Sequence, residues 1–190
     1  MKGLLCIFLA LALGGLVRPQ SDFQLEQPGR CSPVLFTQFS GGWYSIGLAS
    51  DAPWFQEKKA VMKMSTVVVA PTGDGNLEVT YTYPRQDQCE TRKSSFLRTE
   101  QPGLFSYTSP RSGSVHTVQV LDINRHEYAL LLAKTAKGAG TSTMVTLYGR
   151  SRQLRPELQE KFRQAALAEG LAPEDVLILP QTDQCMPESV

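Results

Sequence analysis

The sequence predicts an all-β protein, an eight-stranded antiparallel up-and-down barrel with one C-terminal α-helix packed outside. Short β-favouring runs separated by turn residues occupy the chain from Trp43 to Tyr148, which is typical of a barrel or sandwich. One amphipathic helix follows them, and no repeat or second domain is visible. The interior of an eight-stranded barrel is either filled by side chains or holds one small ligand. The sequence therefore predicts a fold that can form a ligand-binding cavity.

Eight runs rich in β-branched and aromatic residues form the predicted strands. Apolar and polar residues alternate most clearly from Leu77 to Tyr83 and from His116 to Leu121, as expected of strands with one buried face. The breaks between the runs carry the Gly, Pro, Asn and Asp that turns need. In chain order the runs read "GGWYSIGLA", "AVMKMSTVVVA", "NLEVTYTY", "KSSFLRT", "GLFSYTS", "SVHTVQVLDI", "EYALLLAK" and "STMVTLYGR".

A single helix is predicted after the strands, beginning at Pro156, which suits a first helical turn. An apolar stripe runs along it, which we expect to pack on the outside of the barrel; its residues are Leu158, Phe162, Ala165 and Ala166. Use of the same stripe to bind a partner is the alternative. The run "EDVLILP" predicts one further short strand.

Residues 1–20 have the layout of a secretory signal peptide. Lys2 precedes an apolar run from Leu4 to Leu13, and small residues follow it. The run is too short for a membrane span, although a buried N-terminal helix is an alternative. Residues 21–190 are then one secreted, extracellular domain, and no later segment predicts a membrane span.

The charges of the chain nearly cancel, with 19 Lys and Arg against 18 Asp and Glu. Such a balance offers no general attraction to nucleic acid or to acidic lipid, so we expect a small or apolar partner. His116 and His126 lie apart from any cluster of Cys, Asp or Glu, which argues against a metal site.

Three cysteines remain once the signal peptide is removed, and three cannot all pair within one chain. A disulfide between Cys89, in a polar turn, and Cys185, in the tail, would fix the tail to the barrel wall. Cys31 is then left over. It is predicted to be a free thiol, an intermolecular link or an unreactive half-buried thiol.

Two short motifs carry a resemblance to the lipocalin family. Gly41-Gly42-Trp43 resembles the G-x-W signature that starts the first lipocalin strand, and "TLYGR", ending in Arg150, resembles the motif of the last strand. The resemblance implies that Arg150 packs across Trp43 in a cation–π contact that closes the barrel floor. The middle motif of the family falls on Ile123-Asn124-Arg125 and is degenerate here.

Longer matches make the resemblance more specific. The stretches involved are "GLAS", "WFQEKK", "VVAP", "QCETR", "SYTSP", "YALL", "LYGR", "ELQEKF" and "LPQTDQCM". Across nearly the whole mature chain they are similar to the lipocalin-type prostaglandin D synthases. The stretches "MSTVVVAP", "STMVTLYGR" and "CMPES" are equally similar to the non-enzymatic relative lipocalin fifteen.

The resemblance also puts the family's enzymatic activity in question. In the synthases, a cysteine on the inner wall of the second strand acts with glutathione to isomerise the peroxide of prostaglandin H. Ser65 holds that position here, and the supporting hydroxyls are reduced to Ser45, because Val67 and Tyr81 stand where two others are expected. A thiol ionises near pH 8.5 and reacts as the thiolate, whereas a serine needs an adjacent base. We therefore expect a chain that is not an enzyme and needs no cofactor.

Another enzymatic use of Ser65 would pair it with His116, which is also predicted to face the interior. No G-x-S-x-G turn presents the serine and no oxyanion-hole sequence is visible. A hydrolase is therefore disfavoured, and His116 is predicted to be a polar residue of the pocket wall.

The function predicted from the sequence is binding and transport of a small hydrophobic ligand, such as a retinoid or a fatty acid derivative, in the barrel cavity. Trp54 and Phe55 would cover the mouth. The alternatives are a glutathione-dependent prostaglandin-H D-isomerase and a module linked to another chain through Cys31. The predicted ligand-binding residues are Ser45, Trp54, Met64, Ser65, Tyr81, Tyr83, Phe105, Tyr107, His116, Val118, Leu131 and Met144.

Overall fold

The structure is a computed structural model that describes residues 38–109, 112–137 and 140–187. The predicted signal peptide and Cys31 lie outside these residues. Two α-helices are present in them, α1 (Pro53–Lys58) and α2 (Pro156–Ala168). The strands are β1 (Gly41–Ser50), β2 (Thr66–Pro71), β3 (Leu77–Arg85), β4 (Gln88–Arg98), β5 (Leu104–Thr108), β6 (Val115–Asn124), β7 (Tyr128–Lys137), β8 (Gly140–Gly149) and β9 (Val176–Ile178).

Strands β1 to β8 form a closed antiparallel barrel. Each strand from β2 to β7 pairs with the next, β8 pairs with β1, and a β1–β2 pairing closes the ring. The N-terminal part of β1 pairs with β2, while its C-terminal part lies between β8 and β9. The predicted barrel, the C-terminal helix and the short strand after it are therefore confirmed.

Three stretches differ from the sequence-based expectation. Strand β4 begins at Gln88, although the β-favouring run suggested a start at Lys93, so Cys89 lies in the strand and not in a turn. Residues 53–61, after the first strand, form α1 and a short 3₁₀ turn. The second strand starts at Thr66, although the apolar run suggested a strand from Ala60. Pro53 favours the first turn of a helix, and the polar residues that follow it do not alternate with apolar ones.

The strands bury apolar residues on both faces of part of the wall. Because successive side chains point to opposite faces, β7 directs Ala129, Leu131 and Ala133 to the interior, and Leu130 and Leu132 to the outside. A bulge between Val120 and Asp122 lets β6 bend along the wall. The interior cluster also contains Phe39, Trp43, Val67, Val69, Leu77, Val79, Phe96, Phe105, Val118 and Tyr148.

Helix α2 covers the outward face of β1, β7 and β8. Its apolar stripe, Leu158, Phe162 and Ala166, is buried in a second cluster outside the barrel. Phe162 approaches β1 so closely that a Cβ at Gly47 would lie 2.6 Å from its ring. Glycine at this position is therefore needed for the helix to dock, and the predicted packing of the helix outside the barrel is confirmed.

One arginine closes the base of the barrel. The guanidinium of Arg150 lies 3.4 Å from the ring centroid of Trp43. It donates hydrogen bonds to the carbonyls of Gly42 (2.6 Å), Ser40 (2.8 Å) and Arg125 (2.8 Å). The Arg125 carbonyl comes from the degenerate middle motif. Because this hydrogen bond uses a backbone carbonyl, it forms even though the side chains of the motif differ from the family pattern.

The disulfide joins Cys89 and Cys185, as predicted, across 96 residues of sequence. The side-chain amide of Gln184 also donates to the carbonyl of Gln86 (2.9 Å), in the turn between β3 and β4. The tail is thus fixed to this hairpin at the mouth of the barrel. In the described parts of the chain, no helix is long and apolar enough to span a membrane.

We expect Arg150→Gln to lower the free energy of unfolding by about 2–4 kcal/mol, because it removes the cation–π contact and three charged hydrogen bonds. Urea denaturation measures this loss. Arg163→Gln is the control, since Arg163 lies on the exposed side of α2 and only pairs with Glu160 at 3.6 Å; it should change stability by less than about 0.5 kcal/mol. Equal effects of the two substitutions would contradict a closing role for Arg150.

Replacing both disulfide cysteines, Cys89→Ser with Cys185→Ser, should lower the free energy of unfolding by about 3–5 kcal/mol, because a long loop is no longer closed in the unfolded chain. The urea midpoint with and without reductant measures the effect. Reductant should shift the midpoint of the parent protein and leave that of the double variant unchanged. An unshifted parent midpoint would show that the bond does not stabilise the fold.

Candidate ligand-binding site

A cavity lies inside the barrel, between the apolar base and the mouth. Its volume is about 40 Å³. Eight of its nine lining residues are apolar or aromatic, and Thr146 and the two tyrosines add hydroxyl groups. The lining residues are Phe39, Tyr81, Phe96, Val118, Leu131, Ala133, Met144, Thr146 and Tyr148.

The cavity is smaller than a lipid. A buried water needs roughly 10–15 Å³ of such space, so a cavity of about 40 Å³ holds about three waters. Sites for drug-sized ligands are typically about 300–1,000 Å³. A lipid-sized ligand therefore has to displace side chains, and Met144 is the most adaptable of those that line the cavity, because its unbranched chain has three rotatable bonds.

Hydroxyl groups converge on the lower part of the cavity. The side chains of Tyr81 and Tyr148 are hydrogen-bonded to each other. Burial raises the pKa of Tyr148 to about 12, and burial likewise raises the pKa of Tyr81 well above its ordinary value. Tyr81 is enclosed by protein but keeps accessible surface, since it faces the cavity. Both phenols therefore stay neutral. Tyr81 is the donor of their shared hydrogen bond, because that bond raises the pKa of Tyr81 and lowers that of Tyr148, so the Tyr148 hydroxyl can donate to another acceptor.

Ser65 faces the interior immediately before β2. Its hydroxyl donates to the hydroxyl of Ser45 on β1 (2.9 Å), and Ser45 is 7% exposed. The backbone amide of Ser45 also donates to the carbonyl of Ser65 (2.9 Å). Ser65 is therefore held by a second hydroxyl and not by a base.

His116 faces the interior near the mouth and has its ring nitrogens in hydrogen bonds. Nδ1 lies 2.8 Å from the hydroxyl of Thr135 and Nε2 lies 3.0 Å from that of Ser114. The ring centroid is 4.9 Å from that of Tyr107 on β5. Burial lowers the pKa of His116 below its ordinary value. Since its partners are these hydroxyls, His116 does not form the imagined pair with Ser65.

Helix α1 closes one side of the interior above the cavity. Phe55 is fully buried against Leu48 and Leu179, and Met144 packs against this cluster as well as lining the cavity. Two hydrogen bonds of Gln56, to the carbonyl of Ser50 (2.9 Å) and to Asp175 (2.6 Å), attach the helix to the wall and the C-terminal turn. Phe55 thus covers part of the interior.

Trp54 is 46% exposed, with its ring centroid 6.0 Å from that of Phe55. It lies on the outer side of α1 and away from the residues that line the cavity. It could meet a ligand only at the mouth.

Ten of the twelve predicted binding residues lie on the inner face of the barrel, in two groups, and Trp54 and Met64 do not. Tyr81, Val118, Leu131 and Met144 line the cavity. Six others face the interior outside the cavity lining, as their core cluster, strand register or hydrogen bonds show. They are Ser45, Ser65, Tyr83, Phe105, Tyr107 and His116.

Met64 requires a correction. It is 1% exposed, but it belongs to the cluster outside the barrel. Adjacent residues of an extended chain face opposite ways, so Met64 and Ser65 cannot both point inward.

Five cavity residues were not expected from the sequence: Phe39, Phe96, Ala133, Thr146 and Tyr148. Three of them lie on the same strand face as a residue that was predicted, because residues two apart on a strand share a face. Ala133 follows Leu131 in this way, and Thr146 and Tyr148 follow Met144. Phe96 is set by its register with Leu77. Phe39 precedes the first strand, and nothing in the alternating pattern indicates it.

With the geometry in place, the comparison with known proteins defines the class. The model of the lipocalin / cytosolic fatty-acid binding protein family matches residues 40–183. The chain therefore belongs to this family, and it has the ligand-binding barrel fold.

Similar proteins include both a lipocalin and isomerases. A lipocalin from Rhinella marina is 45% identical over 193 residues, which cover 99% of this chain and 100% of that protein. The prostaglandin-H2 D-isomerase of Mus musculus is 43% identical over 195 residues, covering 99% and 100%. That of Equus caballus is 48% identical over 186 residues, covering 96% of each chain.

Among solved structures, the siderocalin Ex-FABP, described as functioning through dual ligand specificities, aligns with a TM-score of 0.67. It is 32% identical in sequence, and the alignment covers 76% of this chain and 95% of that chain.

The environment of His116 predicts a pH dependence of stability. Burial lowers the pKa of His116 in the folded protein below its ordinary value of 6.5. Between the folded and the unfolded pKa, the unfolded chain therefore binds more protons than the folded protein. The stability contributed by neutral His116 is present above its unfolded pKa and is lost as the pH falls through its folded pKa.

We therefore expect the urea midpoint to fall between about pH 7 and pH 5, and to fall less for His116→Gln. Comparison at about pH 8, where the histidine is neutral, separates the packing cost of the substitution from titration. An identical pH dependence in both proteins would show that His116 does not titrate in this window.

Proposed function

We propose that this lipocalin binds a small hydrophobic molecule, such as a retinoid or a fatty acid derivative, inside its barrel and transports it. The observation that carries the proposal is the internal cavity, whose lining is apolar and aromatic with a few hydroxyl groups. Such a lining is the usual composition of a small-molecule site, in which apolar contact supplies affinity and a few polar groups orient the ligand. Burial of apolar ligand surface contributes about 25 cal/mol per Å².

Enlargement of the cavity is part of the proposal. Met144 separates the cavity from the cluster around Phe55, so rotation of the Met144 side chain would join the cavity to the space under α1. The hydrogen bonds of Gln56 hold α1 in place. Admission of a ligand would then require Met144 to rotate and α1 to shift at the mouth.

Secretion belongs to the same proposal. Residues 1–20 have the composition of a cleaved signal peptide, and the Cys89–Cys185 disulfide suits an oxidising compartment. Residues 21–190 would then act as a single extracellular domain. N-terminal sequencing of protein recovered from the medium of secreting cells tests the cleavage.

Titration with retinoic acid should quench tryptophan fluorescence saturably, with one ligand bound per chain. Ala133→Leu, which fills the cavity, should weaken binding several-fold or abolish it, while urea denaturation checks that the variant is folded. The matched control is Val115→Leu, because Val115 faces outward on β6 and is 47% exposed; its affinity should be unchanged. If no member of a panel of retinoids and fatty acids binds, the carrier function is excluded.

A glutathione-dependent prostaglandin-H D-isomerase is the second candidate, and the names of the relatives from Mus musculus and Equus caballus favour it. Ser65 lies at the position where the family resemblance implies a cysteine nucleophile, and its hydroxyl bonds to Ser45. A hydroxyl without a base is a weak nucleophile.

We expect the parent protein to show no glutathione-dependent turnover of prostaglandin H, because it lacks the thiol. Ser65→Cys should introduce measurable turnover, since a thiol at this position can form the reactive thiolate. Thr66→Cys is the control, because Thr66 pairs with Tyr44 on the outward face of the barrel and should introduce none. Turnover by the parent protein would establish the enzyme and reject the inference drawn from Ser65.

A further inference from the structure

A group of charged and aromatic side chains lies at the mouth on the inner face of the β3–β4 hairpin. Tyr83 is opposite Glu90, and Tyr81, which lines the cavity, is opposite Arg92. Directly paired residues share one face of a sheet. The register therefore places Glu90 and Arg92 on the same face as the cavity, with Arg92 level with Tyr81 and Glu90 one inward position nearer the mouth.

The single carboxylate of this group is already well paired. Glu90 accepts a hydrogen bond from the hydroxyl of Tyr83 (2.7 Å) and another from Arg85 (2.6 Å). The tyrosine hydroxyl and the Arg85 guanidinium hold the pKa of Glu90 below its ordinary value. Glu90 is thus a stable anion whose charge is matched by Arg85.

Arg92 is the second cation and is less completely paired. Its guanidinium lies 3.5 Å from Glu90 and 5.5 Å from the ring centroid of Tyr83. Its side chain remains 54% exposed. Two guanidinium groups and one carboxylate leave the group with one net positive charge, positioned by the tyrosine ring at the barrel mouth.

We propose that the ligand is an amphipathic molecule with a carboxylate head group, which pairs with Arg92 at the mouth while the apolar part enters the cavity. This inference rests on the proposed carrier function and specifies the chemical class of its ligand. A guanidinium donates to a carboxylate through two parallel N–H groups. A single carboxylate would also neutralise the one excess charge.

The arrangement is poorly explained as a stabilising ion pair. Exposed pairs contribute little to folding, and Glu90 has shorter contacts with Tyr83 and Arg85 than with Arg92. Loss of the Arg92 charge should therefore affect ligand affinity far more than stability.

Retinoic acid and retinol test the inference, since they differ only in whether the chain ends in a carboxylate or an alcohol. The parent protein should bind retinoic acid about three- to fivefold more tightly than retinol, as expected of a half-exposed ion pair. Arg92→Gln should remove this preference by weakening retinoic acid binding alone. The matched control is Lys93→Gln, because Lys93 points outward and pairs with Glu78 at 3.0 Å; it should leave the preference intact.

A second variant changes the affinity in the opposite direction. Glu90→Gln keeps a hydrogen-bonding side chain but removes the negative charge, so retinoic acid should bind about three- to fivefold more tightly and retinol should be unaffected. Equal binding of both retinoids by the parent protein and by Arg92→Gln would overturn the head-group site and leave the carrier function standing. Failure of the parent protein to bind either retinoid would reject this inference together with the proposed function for retinoids.

Discussion

Every strand of this barrel has two faces, and the fold depends on burying one of them inside. The pleat means that alternate residues of a strand face inward, so a strand that carries apolar residues on both faces needs a cover outside as well. Strands β1, β7 and β8 are of this kind, and α2 provides the cover. The remaining strands carry mostly polar residues outward, and their inner faces form the wall of the cavity.

Polarity changes along the axis of the barrel. The base is closed by Trp43 under Arg150, whose hydrogen bonds go to backbone carbonyls. Neutral hydroxyls, including those of Tyr81 and Tyr148, lie around the cavity above it. A group of ionised side chains, Arg85, Glu90 and Arg92, lies near the mouth on the β3–β4 hairpin. A ligand that follows this gradient is apolar at its inner end and charged at its outer end.

Most of the fold was predictable from the sequence because the signals that define it are local. Alternating runs, turn residues and the stripe of α2 each depend on a few neighbouring residues, and the disulfide followed from the number of cysteines and their positions. The short helix α1 was missed because its residues form no apolar stripe. Phe55 alone is buried, and one buried residue in six does not define a periodicity.

The site was less predictable, since it depends on contacts between strands that are distant in sequence. Alternation identified Tyr81, Val118 and Leu131, but it could not show that Phe39 would pack beneath them. Met64 was assigned to the wrong face because the start of β2, and therefore its phase, could not be fixed from the apolar run. The size of the cavity depends on how the aromatic rings of several strands pack together, and no local pattern encodes this.

The most direct test of a carrier is to identify what it carries. Protein secreted by cultured cells is purified without detergent, extracted with organic solvent and analysed by mass spectrometry, with Ala133→Leu processed in parallel. A carrier of this kind should yield close to one acidic, apolar small molecule per chain, and the variant with the filled cavity should yield much less. Extracts with no enrichment over the variant, or with only polar compounds, would contradict transport within the barrel.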